Sequence, residues 1–269
     1  MNEAGLVVES LNLFYSAYPK PDERPAMDAM QWIQYQLDNS AVLEDVIDSA
    51  RKIRIEPVMF RLHYLVCDRS GRRAVIEFLN GKMTVYKDGR LPVPVLANNK
   101  YGDSLKNLLM FKGFGGERPV DDDYINRFAG AAEMIRMYDP DSAGGLIEYG
   151  FKILDKTKHS DDTKWSIIYD PVSFSIFYRT SRSPALKVLH VSDFDFGSEC
   201  APELLDVNNG FSGRINGYFK AFDHVKNKRH IEEVFAELVE NGDMDEMPSE
   251  RLIEQMSAFA RNIPAAGAF

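Results

Sequence analysis

The feature that most constrains this chain is a period of two. From Val58 to Val66 the even positions Val58, Phe60, Leu62, Tyr64 and Val66 are all apolar. Alternate residues share a face only in an extended strand, so this segment predicts a strand with one apolar side. Asp68 to Gly71 reads as a turn, Ala74 to Leu79 as a second strand, and Asn80-Gly81 follows it directly. That dipeptide is a strong hairpin signal, because both central residues of a type I′ turn need positive φ. Met83 to Tyr86 and Val93 to Ala97 continue the meander.

The flanking segments change period. Leu6 to Phe14 reads as a buried strand, and Tyr15 to Pro25, with three prolines, as a loop. Met30, Ile33 and Leu37 recur at helical spacing, and Asn39-Ser40 breaks that helix and offers the N-cap of a second, with Val42, Val46 and Ala50 on one face. Asp121 to Asp123 suits a helix N-terminus, and Tyr124, Phe128, Ala131 and Ile135 give that helix its apolar stripe. Gly144 to Leu154 reads as a partner helix. Trp165 to Tyr169, Ser175 to Arg179 and Leu186 to Val191 form another antiparallel run, followed by helices near Ile231 to Val239 and Leu252 to Ala260. Runs of strands separated by helix pairs imply an α+β fold rather than alternating βαβ units. Two antiparallel sheets stacked face to face, with helices outside, would bury these faces.

Composition sets limits on function. Lys and Arg total 32 against 41 Asp and Glu, a formal net charge of −9, which argues against a phosphate backbone as partner. No apolar stretch approaches the roughly 20 residues of a membrane-spanning helix. The N-terminus has no basic region followed by an apolar one, so no signal peptide is visible. Gly113 to Gly116 lacks the Lys-Ser/Thr of a phosphate loop, and Asp121 to Asp123 lacks the oxygen spacing of a calcium loop, so both read as loop and helix-start chemistry. The five histidines, His63, His159, His190, His224 and His230, have no zinc-ligand spacing, and neither a metal nor a cofactor is expected. Of the two cysteines, Cys67 reads as a core residue late in a strand, and Cys200 lies in a loop with no evident base.

Six phrases in order resemble one family. They are Met1 to Leu6 with Leu11-Asn12; Leu62 to Asp68 with Ser70-Gly71 and Ala74 to Glu77; Val95 to Asn99; Asn126 to Phe128; Thr163 to Asp170; and Ile176 to Thr180. Together they resemble the choloylglycine hydrolase family, which includes penicillin V acylases and bile salt hydrolases, most clearly over residues 1–196, with a helical tail over 197–269. The resemblance implies one N-terminal nucleophile hydrolase domain over 1–269, a four-layer αββα sandwich of two antiparallel sheets flanked by helices. It implies hydrolysis of a linear, non-peptide amide C–N bond by an N-terminal cysteine whose own α-amino group is the base. The resemblance leaves the acyl group open among a bile acid, a phenoxyacetyl group and an N-acyl lactone.

Carried over by position, Asn12 resembles the asparagine that helps form the oxyanion hole. Asn98 resembles the one that orients the nucleophile and substrate, and Arg127 the arginine that supports the site electrostatically. Each also has a plainer reading: Asn12 as a strand end, Asn98 as a turn with Asn99, and Arg127 as an ion pair with Asp123 at i,i+4. Ala97 departs from the threonine more common in the family. The larger departure is at the start. The family's cysteine precedes the MNE block with which this chain opens, so the fold is expected to be incomplete there and the nucleophile upstream of Met1. The polypeptide alone is then expected not to hydrolyse glycocholate or penicillin V. An uncovered first strand, with Leu11 and Leu13 exposed, would make it self-associate, and its compartment would depend on the upstream segment. The alternative is a non-catalytic binding or scaffold protein that kept the fold and lost the nucleophile. The genomic sequence just upstream of codon 1 separates the two.

Overall fold

The computed structural model describes residues 1–56, 60–120, 126–141, 144–158, 163–197, 201–242 and 244–258. The opening block is a clamp. Buried Asn2 donates through Nδ2 to the carbonyls of Leu37 and Ser40, both at 2.8 Å, while its Oδ1 accepts the Leu6 N–H at 2.9 Å. Gly5 has φ of +82°, and a Cβ there would lie 3.0 Å from the Arg69 Cβ and 3.2 Å from the Pro171 carbonyl. Only glycine fits both constraints.

Strand β1 (Val7–Asn12) leaves this clamp. Short β2 (Ala26–Met27) leads into helices α1 (Ala29–Asn39) and α2 (Leu43–Ser49), and β3 (Arg54–Ile55) returns parallel to β2. Helix α1 is capped by Asp28, whose carboxylate accepts from the Met30 and Gln31 N–H groups at 2.7 and 2.9 Å. Ser40 was expected to cap α2. It closes α1 instead, its N–H bonding the Gln36 carbonyl, and the Asp45 carboxylate takes the Ala41 and Val42 N–H groups at the start of α2.

Strands β4 (Leu62–Cys67), β5 (Arg73–Leu79) and β6 (Lys82–Lys87) complete sheet one, in the order β1-β4-β5-β6 and antiparallel throughout. The expected hairpin is present: Asn80 and Gly81 have φ of +53° and +75°. Leu62, Tyr64 and Val66 share a buried face as their alternation predicts. Phe60 lies outside that face and is exposed, and Val58 lies outside the described residues. The face packs on α1 and α2 with Ala74, Ile76, Phe78, Trp32, Leu43 and Val46. Trp32 and Tyr64 meet at 4.4 Å between ring centroids. Each such large apolar side chain contributes about 1.5–3 kcal/mol by burial.

The opposite face of sheet one is buried too. Val75, with Leu65 and Tyr86, packs on helices α3 (Tyr101–Leu108) and α4 (Arg127–Arg136), and α5 (Leu146–Thr157) packs on α4. Residues 93–97, expected as a strand, form none. Pro92 and Pro94 have no N–H to give a ladder. The Val93 carbonyl and N–H instead bond the Tyr101 hydroxyl, at 2.8 and 3.4 Å. On the α4 stripe, Phe128 and Ala131 are buried, whereas Ile135 is 37% exposed; Tyr124 and Asp121 to Asp123 lie outside the described residues.

Sheet two holds β7 (Trp165–Asp170), β8 (Ser175–Thr180) and β9 (Lys187–His190), all antiparallel. Residues Glu203–Leu204 (β10) pair with Lys220–Ala221 (β12), and Gly213–Arg214 (β11) adds to β9 in parallel. The sheets meet where Tyr169 faces Glu9, whose carboxyl burial pushes up. Helices α6 (His224–Glu240) and α7 (Glu250–Ser257) end the described chain as a pair, joined by His224 and Asn227 contacts to Ser257. The architecture is the expected α+β one, two four-stranded sheets with flanking helices. Strand β1 lies at the edge of sheet one. Leu13 is fully buried rather than uncovered, and the chain continues its pairing past β1 through a Leu13 N–H bond to the Arg61 carbonyl at 2.8 Å.

Candidate active site

Asn12 ends β1 opposite Leu62, exposed, and its side chain makes no hydrogen bond among the described residues. Its plainer reading as a strand end and its candidate role coexist, since ending a strand leaves the amide free. Asn98 is exposed as well. The tight turn there is made by backbone, Asn99 N–H to Ala97 carbonyl at 2.7 Å, so the Asn98 side chain is not spent on it.

The two asparagines come from loops that meet. Beyond Asn12, Phe14 and Tyr15 project into solvent, 74% and 58% exposed, with their rings edge-on at 5.8 Å. The Lys100 ammonium, two residues past Asn98, sits 4.7 Å from the centre of the Tyr15 ring. The Arg61 guanidinium lies 5.9 Å from the Phe14 ring. The Lys100–Tyr15 contact ties the loop after β1 to the loop before α3, and Arg61, just ahead of β4, steadies Phe14. The end of sheet one where β1 finishes thus presents two carboxamides with no hydrogen bond among the described residues, able to donate N–H to a developing negative charge.

The Asn98 loop is fastened from below. The Glu77 carboxyl accepts the Tyr101 N–H at 2.8 Å and contacts His63 Nδ1 at 3.1 Å, with both side chains fully buried. Burial pushes the Tyr101 phenol up, so its hydroxyl stays a donor to Val93. Arg127 opens α4 half-buried, and the adjacent Phe128 ring packs 6.0 Å from the Tyr101 ring. Arg127 therefore stands at a helix start joined to the Asn98 segment through Tyr101. Asp123, its alternative partner, lies outside the described residues.

Cys67 does not sit at this end of the sheet. Cys67 pairs with Val7 at the far end of β1, five residues from Asn12, or about 17 Å at the usual strand rise. Burial and the neighbouring Asp68 push its thiol up, away from a reactive thiolate. Cys200 lies outside the described residues. Among the described residues no group of three or more His, Cys, Asp or Glu could hold a metal, and no helix is long and apolar enough to cross a membrane.

Sequence reasoning quoted His63 and Glu77 within a motif but assigned them no role. A signal existed: both fall on the strand face opposite the apolar one, and the hairpin register sets them side by side.

Comparison with known proteins agrees with the resemblance. The family described as linear amide C-N hydrolases, choloylglycine hydrolase family, matches residues 1–130. A penicillin V acylase of Pectobacterium atrosepticum is 24% identical, over 82% of this chain and 70% of that protein. Among solved structures, penicillin V acylase from Agrobacterium tumefaciens superposes with a TM-score of 0.69 at 24% identity, covering 83% of this chain and 76% of its own. A variant of conjugated bile acid hydrolase from Clostridium perfringens gives 0.60 at 19% identity, over 72% and 73% of the two chains. These structures share the fold. The family recognised from the sequence is the one that the comparisons find.

Proposed function

We propose that this chain, which carries the choloylglycine hydrolase pattern over its first 130 residues, forms the oxyanion and substrate-orienting part of a linear amide C–N hydrolase. The observation that carries the reading is the pair of unspent carboxamides, Asn12 and Asn98, on loops that Lys100 and Tyr15 hold together at one end of sheet one. The attacking thiol is assigned to a cysteine upstream of Met1, because Cys67 is remote and its thiol is pushed up.

The chemistry then runs in two balanced steps. The cysteine sulfur loses its proton to its own α-amino group, whose ordinary pKa near ~8 suits transfer at neutral pH, and attacks the amide carbon. The carbonyl oxygen takes the electron pair and is stabilised by Asn12, while Asn98 orients the reacting groups and Arg127 adds positive field. The C–N bond breaks as the amine leaves with the proton held by the α-ammonium. Water attacks the resulting thioester, releasing the acid and restoring the thiol. Exposed Phe14 and Tyr15 beside Asn12 provide an apolar surface for the acyl group.

Hydrolysis of penicillin V and glycocholate by the 269-residue chain, and by the same chain with its in-frame upstream sequence, tests this. Turnover in the extended form alone is expected. Turnover by the chain itself in a Cys67→Ala, Cys200→Ala background would remove the upstream thiol from the account. An upstream in-frame stop, or an extended form that is also inactive, would favour a non-catalytic binding protein.

A further inference from the structure

We propose that Glu77, braced by His63, is a positioning residue that sets where Asn98 sits. The inference rests on the amide-hydrolase reading above, and its physical basis is independent of it.

Strands β4 and β5 pair Tyr64 with Ile76 and Leu65 with Val75, so His63 and Glu77 are the next facing pair. Both side chains are fully buried, with Nδ1 and Oε1 3.1 Å apart. The same Oε1 accepts the Tyr101 N–H at 2.8 Å. Tyr101 is the first residue of α3, whose N-cap is Lys100. Lysine has no acceptor to offer the free N–H groups of a helix start, and no side-chain cap bond is made there. Glu77 supplies from strand β5 an acceptor for the first of these N–H groups, at the helix end where a carboxyl is favoured.

This bond acts on a lever. Tyr101 is held at its amide by Glu77 and at its hydroxyl by Val93. Residues 93–101 are thus pinned at both ends around Asn98, in a stretch that forms no strand of its own. Lys100, between pin and asparagine, carries the contact to Tyr15. The Asn98 loop is therefore set by a buried carboxyl rather than by a sheet ladder.

Stability alone does not explain such a pair. His63 Nε2 and Glu77 Oε2 are buried with no partner among the described residues. Unpaired buried polar atoms oppose folding, and hydrocarbon side chains of similar volume commonly serve a core as well or better. What hydrocarbons cannot do is hold the Tyr101 N–H.

The test compares Glu77→Leu, which deletes the acceptor, with Glu77→Gln, which keeps a carbonyl oxygen for Tyr101. Both are made in the full chain and in its upstream-extended form. In Glu77→Leu, hydrogen exchange at the Tyr101 amide is expected to quicken at least tenfold while the amides of α1 and β8 keep their rates. In the extended form kcat/KM falls at least tenfold, and Glu77→Gln restores it to within threefold of the parent. Uniformly faster exchange throughout, or an unchanged Tyr101 amide with unchanged kcat/KM, would overturn the proposal. Should Glu77→Leu fail to fold, His63→Leu removes the brace and leaves the Tyr101 bond, and the same readouts decide with a smaller expected change of about threefold. An inactive parent would contradict the amide-hydrolase reading only, leaving exchange to judge the positioning role.

Discussion

Sheet one and sheet two have the same strand number and differ in how they are buried. In sheet one the five residues Ala74 to Phe78 are all at or below 3% exposure, so β5 is enclosed on both faces. In sheet two, β7 is half-buried along most of its length and its Trp165 is 63% exposed. The contrast shows what a site-bearing element needs. A strand enclosed on both faces can hold a polar pair such as His63 and Glu77 in one geometry, and can carry that geometry to the loops at its end.

The largest effect that separates the sheets is in the tryptophans that pack on one and lie in the other. Trp32→Ala empties the stack on Tyr64 and is expected to cost about 3–5 kcal/mol in urea unfolding. Trp165→Ala is expected to cost about 0.5 kcal/mol or less. Comparable costs would erase the distinction.

Acid sharpens the contrast. Burial pushes the Asp68 carboxyl up, yet bonds from the Ser70 side chain and N–H, the Leu43 N–H and nearby Arg72 outweigh it and hold the group below the usual range. Its side chain is buried beside sheet one. A depressed carboxyl stabilises the fold fully above its unfolded pKa near ~3.9, and that contribution disappears as pH falls through the folded value. Asp68→Asn is expected to cost about 1–3 kcal/mol at pH 7 and to flatten the loss of stability between pH 5 and 2. Asp155, beside sheet two, is likewise lowered because Arg179 outweighs burial, but the pair is half-exposed. Asp155→Asn should cost about 0.5 kcal/mol or less. Melting temperature followed against pH in the two variants reads both.

The hairpin turn offers a smaller test within sheet one. Gly81 sits at φ +75°, so Gly81→Ala is expected to cost about 1 kcal/mol through backbone strain alone, seen as a shift in denaturation midpoint with unchanged slope. A neutral substitution would mean that the turn relaxes and the register is held by the strands.

The same contrast explains what could be read in the sequence. Leu62, Tyr64 and Val66 announced their strand because a fixed period repeats along the chain, and Asn80-Gly81 announced its turn because few residues tolerate that backbone. Helix α3 went unannounced, since its N-cap position is a lysine and its first N–H is held by Glu77, 24 residues earlier. Residues 93–97 looked like a strand by composition, but their prolines surrender the ladder and Tyr101 takes their polar groups. Asn12, Asn98 and Arg127 were picked out by resemblance; nothing in their spacing marks them. The loops bearing the asparagines are drawn together by a Lys100–Tyr15 contact that spans 85 positions of sequence, beyond any local pattern.

The claim at the centre of this account is that sheet one ends in a working oxyanion donor. Steady-state kinetics of Asn12→Ala, in the upstream-extended form with a linear amide substrate, tests it most directly. Loss of the donor is expected to lower kcat by about 10²–10³-fold while KM stays within a few-fold, since the oxyanion forms only as the amide reacts. A kcat within twofold of the parent would contradict it.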